Sequence, residues 1–285
     1  MTKIIESLKD FGTMNEKSIS INNLTETDKN ILSMLYNIDK EELEHTDLMP
    51  YKKDIFELHR REMASSMGFD ANKMFMADQE HKKGSFFEIT RDYVEANPKG
   101  WTDIPEDILV VTSKTPRVVI GHPVADCPVV MMIDKKQGIS AIGHCGAEMI
   151  DKHLPIMIQE VLRRDYGSRA DDIYTYVSSC IGENWTYDCF PKWAKDAKVW
   201  NNCIFMGDDG LFHINIKPAI MSQLLISGLD REKILFSTDN TKSNPNYYSN
   251  NASKEDKSKE GRHFAGMFYT DDENQEIEIQ KGRSR

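Results

Sequence analysis

The chain has 285 residues, of which 39% are hydrophobic and 29% are charged, and its formal net charge is −10 at pH 7. This composition is typical of a folded globular protein, and the length can bury one large core or two modest ones. The negative charge argues against a nucleic-acid partner, because nonspecific binding to nucleic acid needs a basic surface. No apolar run approaches the roughly 18 residues of a membrane span, so we expect no membrane partner.

The N-terminal segment and the cysteines indicate where the protein resides. Residues 1–7 lack the apolar stretch of a secretory signal peptide. The five cysteines are an odd number and show no paired spacing. Such a set fits a reducing compartment better than a disulfide framework. We therefore expect a cytoplasmic protein with free thiols.

The first part of the chain is predicted to be helical and charged. Thr25 or Thr27 can cap a first helix, and Asp39 can start a second. A third helix is predicted over 53–67, where apolar residues recur at helical spacing and a glycine follows. We interpret residues 1–50 as a helical N-terminal extension, which precedes a metal-binding catalytic domain over residues 51–270.

Beyond residue 70 the pattern changes to short apolar runs that are rich in β-branched residues and bounded by glycine, proline or charge. Strands are predicted over 74–76, 86–89, 108–111, 118–120, 128–133, 173–180, 199–206 and 234–237. Helices are predicted over 148–166 and 217–228, a long polar loop over 239–261, and a disordered tail over 271–285. This order predicts a single α/β (α+β) domain with a mixed β-sheet core flanked by helices.

Two reactive side chains stand at the ends of adjacent apolar segments. Cys127 lies in the motif ADCP at 125–128, before one segment, and His144 lies in GHCG at 143–146, after the next segment. Reactive groups at the edge of a buried sheet are where a scaffold often presents a site. A thiolate and an imidazole can bind a soft divalent metal, or they can act as a nucleophile and its base.

His81 is a third candidate, because it follows the short apolar run at 74–76. Two imidazoles and one thiolate can supply three ligands to Zn²⁺ and leave a fourth position for water, as in catalytic zinc sites. Ligands on separate loops have no regular spacing, so a buried unligated cysteine with two surface histidines is the plainer interpretation. His122, near the same edge, is interpreted as a packing or solvent-facing residue.

These motifs, taken in order, resemble the polyphenol-oxidase or laccase-domain family, the YfiH-like bacterial proteins described as purine nucleoside phosphorylases. The resemblance runs from Arg60 over most of the chain. Its most specific part is the pair ADCPV at 125–129 and GHCG at 143–146. The motifs QEHKKG at 79–84 and GRHFAG at 261–266 are similar to further family motifs. The resemblance implies a YfiH-like fold.

Carried over by position, the resemblance implies that His81, Cys127 and His144 form the metal and catalytic centre, with Zn²⁺ favoured over copper. It implies that Arg60 lines the substrate pocket, where a guanidinium suits a phosphate or a carboxylate. The implied activity is phosphorolysis or hydrolysis of an adenosine-like substrate, with deamination as a second reaction of the class. The implied partners are therefore a small-molecule nucleoside and, for phosphorolysis, phosphate.

Two departures from the family pattern bear on the reaction. Ala147 and Glu148 stand where the family has Trp-Arg, and Asn250 and Asn251 stand where it has arginines. If those arginines hold phosphate, their loss disfavours phosphorolysis and leaves the metal site intact.

Two further functions remain open from the sequence. With Cys127 as a thiolate nucleophile and His144 as its base, the chain would be a hydrolase or deamidase without a metal. Alternatively, it is a catalytically silent family member that binds a metal or a nucleotide. Phenol oxidation is ranked last, because one cysteine and two histidines do not make a multicopper cluster.

Overall fold

The structure is a computed structural model that describes residues 2–77, 85–100, 103–115, 117–270 and 277–282. Strands and helices are interspersed along the chain. The strands of these ranges are β1 (Thr2–Glu6), β2 (Met74–Ala77), β3 (Phe86–Glu88), β4 (Asp103–Ile104), β5 (Ile108–Thr112), β6 (Val118–Val124), β7 (Val129–Asp134), β8 (Ile139–His144), β9 (Ile173–Val177), β10 (Trp185–Tyr187), β11 (Ile204–Met206), β12 (Phe212–Ile214), β13 (Ile234–Phe236), β14 (His263–Tyr269) and β15 (Ile277–Lys281). The helices are α1 (Glu26–Tyr36), α2 (Lys52–Met67), α3 (Arg91–Ala96), α4 (Ala147–Asp151), α5 (Leu154–Tyr166), α6 (Ala197–Trp200) and α7 (Ile216–Ile226). In the described part, no helix is both long enough and apolar enough to cross a membrane.

Two six-stranded sheets form the centre of the described structure. Sheet A has the strand order β15-β1-β14-β6-β2-β4, and sheet B has the order β13-β9-β7-β8-β5-β3. Each sheet contains both kinds of neighbour: β6 is antiparallel to β14 and parallel to β2, and β9 is antiparallel to β7 and parallel to β13. The predicted mixed β-sheet core is therefore confirmed, with two sheets.

The two large sheets pack face to face on an apolar layer. This inter-sheet layer contains Ile120 and Ala265 of sheet A together with Met131 and Ile142 of sheet B. Helices α5 and α7 cover the outer face of sheet B, and α2 covers the outer face of sheet A. Because both faces of each sheet are covered, the central strands are almost continuous apolar runs, which explains why the sequence reveals them.

The first fifty residues are only partly the helical extension that the sequence predicts. Helix α1 is present, and the hydroxyl of its cap Thr25 accepts a hydrogen bond of 3.2 Å from Asp28 N. Residues 2–6, however, form β1, which lies between β14 and β15 in sheet A. Its isoleucines at positions 4 and 5 are buried, and β-branched side chains suit a strand. The helix predicted from Asp39 is replaced by a short 3-10 turn at 43–45.

The C-terminal segment also differs from its prediction. Residues 277–281 form β15, which pairs in parallel with β1 and lies at the edge of sheet A. Residues 271–276 and 283–285 lie outside the described residues. A disordered tail is therefore wrong for 277–281. The low apolar content that suggested disorder fits an edge strand instead, because polar and charged residues are common there.

The helix predicted over 148–166 is divided into α4 and α5. His153, between the two helices, has a left-handed backbone with φ +64°, and Pro155 lies in the first turn of α5. Proline has no N–H to continue a helix and restricts the residue before it, so the chain starts a new helix here. The strand predicted over 199–206 is likewise α6 followed by β11, whereas α7 confirms the helix predicted over 217–228.

Candidate functional site

The turn that carries Cys127 is fixed by its neighbour Asp126. Asp126 has a left-handed backbone with φ +77°, which is uncommon for a residue other than glycine. Its carboxylate accepts hydrogen bonds of 2.7 Å from Thr241 Oγ1 and from Asn251 N. Its carbonyl accepts another of 2.8 Å from Ile181 N. Contacts from two other parts of the chain thus set the position of the cysteine.

His144 ends β8 beside the strand that follows Cys127. It is paired in antiparallel register with Val129, and it is buried. A Cβ built on Gly146 would lie 3.4 Å from Cys127 Sγ, 3.5 Å from His144 Cε1 and 3.9 Å from His144 Nε2. The thiol and the imidazole therefore face the same small space, which the missing side chain of Gly146 leaves open. The structure brings these two predicted residues together.

His81, the third predicted ligand, lies outside the described residues. In the ranges that the structure describes, no group of three or more His, Cys, Asp and Glu side chains is already arranged to hold a metal ion. Cys127 and His144 are thus the described members of the predicted ligand set, and they supply one sulfur and one nitrogen donor.

The structure places Arg60 in the protein interior instead of a substrate pocket. Arg60 lies on α2 and is 1% exposed. Its guanidinium donates hydrogen bonds of 2.6 and 2.9 Å to the carbonyls of Ala71 and Lys99, and one of 2.8 Å to Glu57 Oε2. These bonds attach α2 to the segments around β2 and α3. The expected substrate contact of Arg60 is corrected accordingly, because a ligand would have to break these bonds to reach the guanidinium.

All five cysteines lie in the described part of the chain and are free thiols, as the sequence predicts. Burial, followed by the charge of Asp126, raises the pKa of Cys127 to about 12, and Arg262 acts in the opposite direction. A cysteine nucleophile reacts as the thiolate, which this environment disfavours. Metal binding also requires the thiol to lose its proton. In the absence of a cation, the environment of Cys127 therefore favours the neutral thiol.

Sheet A carries two buried histidines to which the sequence analysis assigns no function, and one of them lies beside His144. His122 on β6 and His263 on β14 are 1% and 0% exposed. Within the described residues, no ring nitrogen of either side chain has a hydrogen-bond partner. Burial lowers the pKa of each to about 3, so both imidazoles are neutral at neutral pH. In the sequence, each is a histidine within an apolar strand. That pattern does not distinguish a histidine that packs in the core from one that binds a ligand.

A buried carboxylate, that of Glu6, lies near His122 at one end of the inter-sheet layer. Glu6 on β1 and His122 on β6 are both paired with Ala265 of β14, from opposite sides. Glu6 Oε1 accepts a hydrogen bond of 2.5 Å from the Tyr176 hydroxyl, and Oε2 accepts one of 2.6 Å from Ser179 Oγ. These bonds join β1 of sheet A to β9 and the residues after it in sheet B. The N-terminal strand is therefore built into the domain that holds the site.

The positions that depart from the family pattern surround the site without adding a cation. Glu148 is exposed in the first turn of α4, two residues after Gly146. Asn251 approaches the turn before Cys127 through its backbone N–H. The predicted loop over 239–261 is confirmed as irregular apart from an isolated bridge and two short 3-10 turns. This loop holds the turn before Cys127 through the hydroxyl of Thr241 and the backbone N–H of Asn251.

Comparisons with known proteins support the same fold. The hypothetical protein YfiH of Bacillus licheniformis has a TM-score of 0.65 and 19% identity, over 76% of this chain and 82% of that one. YlmD of Geobacillus stearothermophilus has a TM-score of 0.64 and 17% identity, over 77% and 82%. The Neisseria meningitidis protein NMB0706 has a TM-score of 0.58 and 15% identity, over 76% and 82%. At these identities the likeness concerns the fold alone.

None of the curated proteins compared with the chain matches it. A family model described as multi-copper polyphenol oxidoreductase laccase matches residues 51–270. Because this match spans most of the chain, and the fold is that of YfiH, the protein belongs to the laccase-like polyphenol oxidoreductase family of YfiH-like proteins.

Proposed function

We propose that this protein is a metal-dependent enzyme that hydrolyses a purine nucleoside, with Zn²⁺ held by Cys127, His144 and His81. The observation that carries the proposal is the convergence of Cys127 Sγ and the His144 imidazole on the space beside Gly146. Membership of the family supports an enzymatic function. The substrate class rests on the resemblance of the sequence motifs.

The described donors fit a zinc ion. A thiolate and a neutral imidazole are ligands that Zn²⁺ prefers. Gly146 has φ −63°, which any residue can adopt, so the backbone alone does not require glycine there. Its missing side chain instead leaves room beside both donors, and His81 would add a third ligand. When bound, the ion would supply positive charge that activates water or stabilises the leaving group.

The protein's own residues would orient the reactants. Asp126 holds the turn that presents Cys127. It therefore positions the thiol and does not contact the substrate itself. Arg262 is partly exposed, and its charge acts on the Cys127 thiol. We assign Arg262 the contact with an oxygen of the substrate, because a guanidinium donates well to oxygen atoms.

Water is the favoured acceptor of the ribose. In hydrolysis the glycosidic C–N bond breaks, the hydroxyl group of water adds to the ribose carbon, and a proton goes to the departing base. Phosphorolysis would need cations to hold phosphate. Glu148 brings a carboxylate where the family has an arginine, and Arg60 is engaged with backbone carbonyls. Binding of phosphate is therefore weakened relative to the family pattern, because Arg262 is assigned to the substrate, while the metal donors remain.

The test is the release of free base from adenosine, inosine and guanosine by zinc-loaded full-length protein, followed by liquid chromatography. We expect release that does not require phosphate, and its loss in Cys127→Ala, His144→Ala and His81→Ala. Cys189→Ala is the matched control, because Cys189 is an exposed free thiol. Equal release by all variants would contradict the proposal, and release only with phosphate would replace hydrolysis by phosphorolysis.

A hydrolase or deamidase without a metal is the second candidate, because the same convergence can serve a nucleophile and its base. The two candidates differ in how Cys127 reacts with iodoacetamide. A metal ligand is protected until the ion is chelated, whereas a free nucleophile is alkylated at once. Stoichiometric zinc in the purified protein, together with protection that chelation removes, would exclude this second candidate.

A further inference from the structure

His122 is a buried imidazole to which the proposed chemistry gives no role. It lies on β6 with 1% exposure, and in the described part of the chain neither of its ring nitrogens has a hydrogen-bond partner. A buried polar atom without a partner destabilises the fold, because its bonds to water are lost and not replaced. Native proteins seldom leave both nitrogens of one ring in this state unless a ligand, an ion or a water molecule meets them.

The ring of His122 approaches His144 from the opposite sheet. The two ring centroids are 5.9 Å apart, and the ring planes are inclined by 36°. Side chains alternate along a strand, so His122 shares the face of Ile120 and His144 shares the face of Ile142, and both isoleucines lie in the inter-sheet layer. Two imidazoles on one tetrahedral zinc ion have centroids roughly 5–6 Å apart, because each Zn–N bond is about 2.0–2.1 Å long.

Strand β6 also leads directly into the turn that carries the thiol. We propose that His122 is a further metal ligand of this protein, which joins Cys127 and His144 at the same ion. The inference rests on the proposed function, because it concerns the ion proposed there. In the described residues these three donors do not yet form a coordinating group. The imidazole of His122 therefore has to turn toward the space beside Gly146 when the ion binds.

A ligand at this position bears on how water reaches the ion. Zinc sites with four protein ligands are mostly structural, catalytic sites have three, and some expand to five ligands during the reaction. His122 thus strengthens metal binding and competes for the position that water would take.

The test is titration of the metal-free full-length protein with Co²⁺, read from its d–d absorption and from the thiolate-to-cobalt charge-transfer band. The variant is His122→Leu, which we expect to fold because its neighbours in the layer are apolar. His122→Gln is a second variant of similar volume. We expect Co²⁺ affinity to fall about tenfold or more in both. The d–d bands should shift, and the charge-transfer band should remain because Cys127 is retained.

His263→Leu is the matched control. His263 is equally buried, its ring nitrogens likewise lack hydrogen-bond partners in the described part, and it lies on the same face of sheet A with its ring against Tyr247. We expect this variant to bind Co²⁺ like the wild type. Unchanged affinity and d–d bands in both His122 variants would overturn the inference and leave the proposed metal site in place. A wild type that does not bind Co²⁺ would overturn both.

Discussion

The hydroxyl of Thr241 donates a hydrogen bond of 2.7 Å to Asp126 Oδ1, and both side chains are buried. This bond ties the long loop to the left-handed turn that presents Cys127. We expect Thr241→Val to lower the free energy of unfolding by about 1–3 kcal/mol, because a buried carboxylate oxygen loses its donor while the side-chain volume is kept. Urea denaturation of the metal-free protein measures the change.

The control for this prediction is Thr186→Val. Thr186 is partly exposed on β10 of the small sheet. Its substitution should change the free energy of unfolding by no more than about 0.5 kcal/mol. If both variants lost the same stability, the bond from Thr241 to Asp126 would not be the cause.

Gly146→Ala tests the space between the two described donors. The new methyl group would lie 3.4 Å from Cys127 Sγ, which is an ordinary contact in the metal-free protein. We therefore expect the metal-free variant to be as stable as the wild type, within about 0.5 kcal/mol. Because the methyl group occupies the volume beside both donors, Zn²⁺ affinity should fall by about tenfold or more. Competition with a chromogenic chelator measures the affinity, and wild-type affinity would place the ion elsewhere.

The sequence predicts the central strands and the pair of Cys127 and His144, because both signals are local. A strand covered on both faces is an apolar run, and a reactive residue at its end is visible without any partner. The edge strand β15 and the short β1 lack such a run, so they are recognised only through their pairing with each other.

Residue roles that depend on distant partners were beyond the sequence. Arg60 matches a motif position, but its partners are carbonyls at Ala71 and Lys99, which the chain brings in from outside the helix. His122, in contrast, was interpreted as a packing or solvent-facing residue and lies beside His144. Its place opposite His144 depends on how the two sheets face each other, which the sequence does not reveal. Motif resemblance thus pointed to the pair of Cys127 and His144, which lie together, but not to the residues around them.

A buried histidine on α2 fastens the first fifty residues to the rest of the chain. His59 Nε2 lies 2.8 Å from Asp28 Oδ1, and His59 Nδ1 lies 3.0 Å from the carbonyl of Thr13. A carbonyl only accepts, so the Nδ1 N–H of His59 donates to Thr13, and Nε2 lies at hydrogen-bond distance from the Asp28 carboxyl group. We expect His59→Leu to cost about 3–5 kcal/mol in urea denaturation, because the buried carboxylate loses its partner. His45→Gln, at an exposed position, should leave the stability unchanged.

The pH dependence of stability should carry the signature of His263. Burial, followed by the charge of Arg262, lowers the pKa of this side chain from 6.5 to about 3. Between these two pH values the unfolded chain binds a proton that the folded protein does not. The free energy of unfolding therefore falls as pH falls through this interval, by up to about 1.4 kcal/mol per pH unit for this one group.

His263→Leu removes that contribution, since leucine binds no proton in either state. We expect the variant to lose less stability than the wild type between about pH 6.5 and pH 3, while His122 and the carboxyl groups continue to titrate in both proteins. Urea denaturation across this range gives the slope of the free energy of unfolding against pH for each protein. The two slopes should differ by the equivalent of nearly one bound proton. Parallel curves for variant and wild type would mean that His263 is protonated in the folded protein, and that its surroundings are polar and accessible to water.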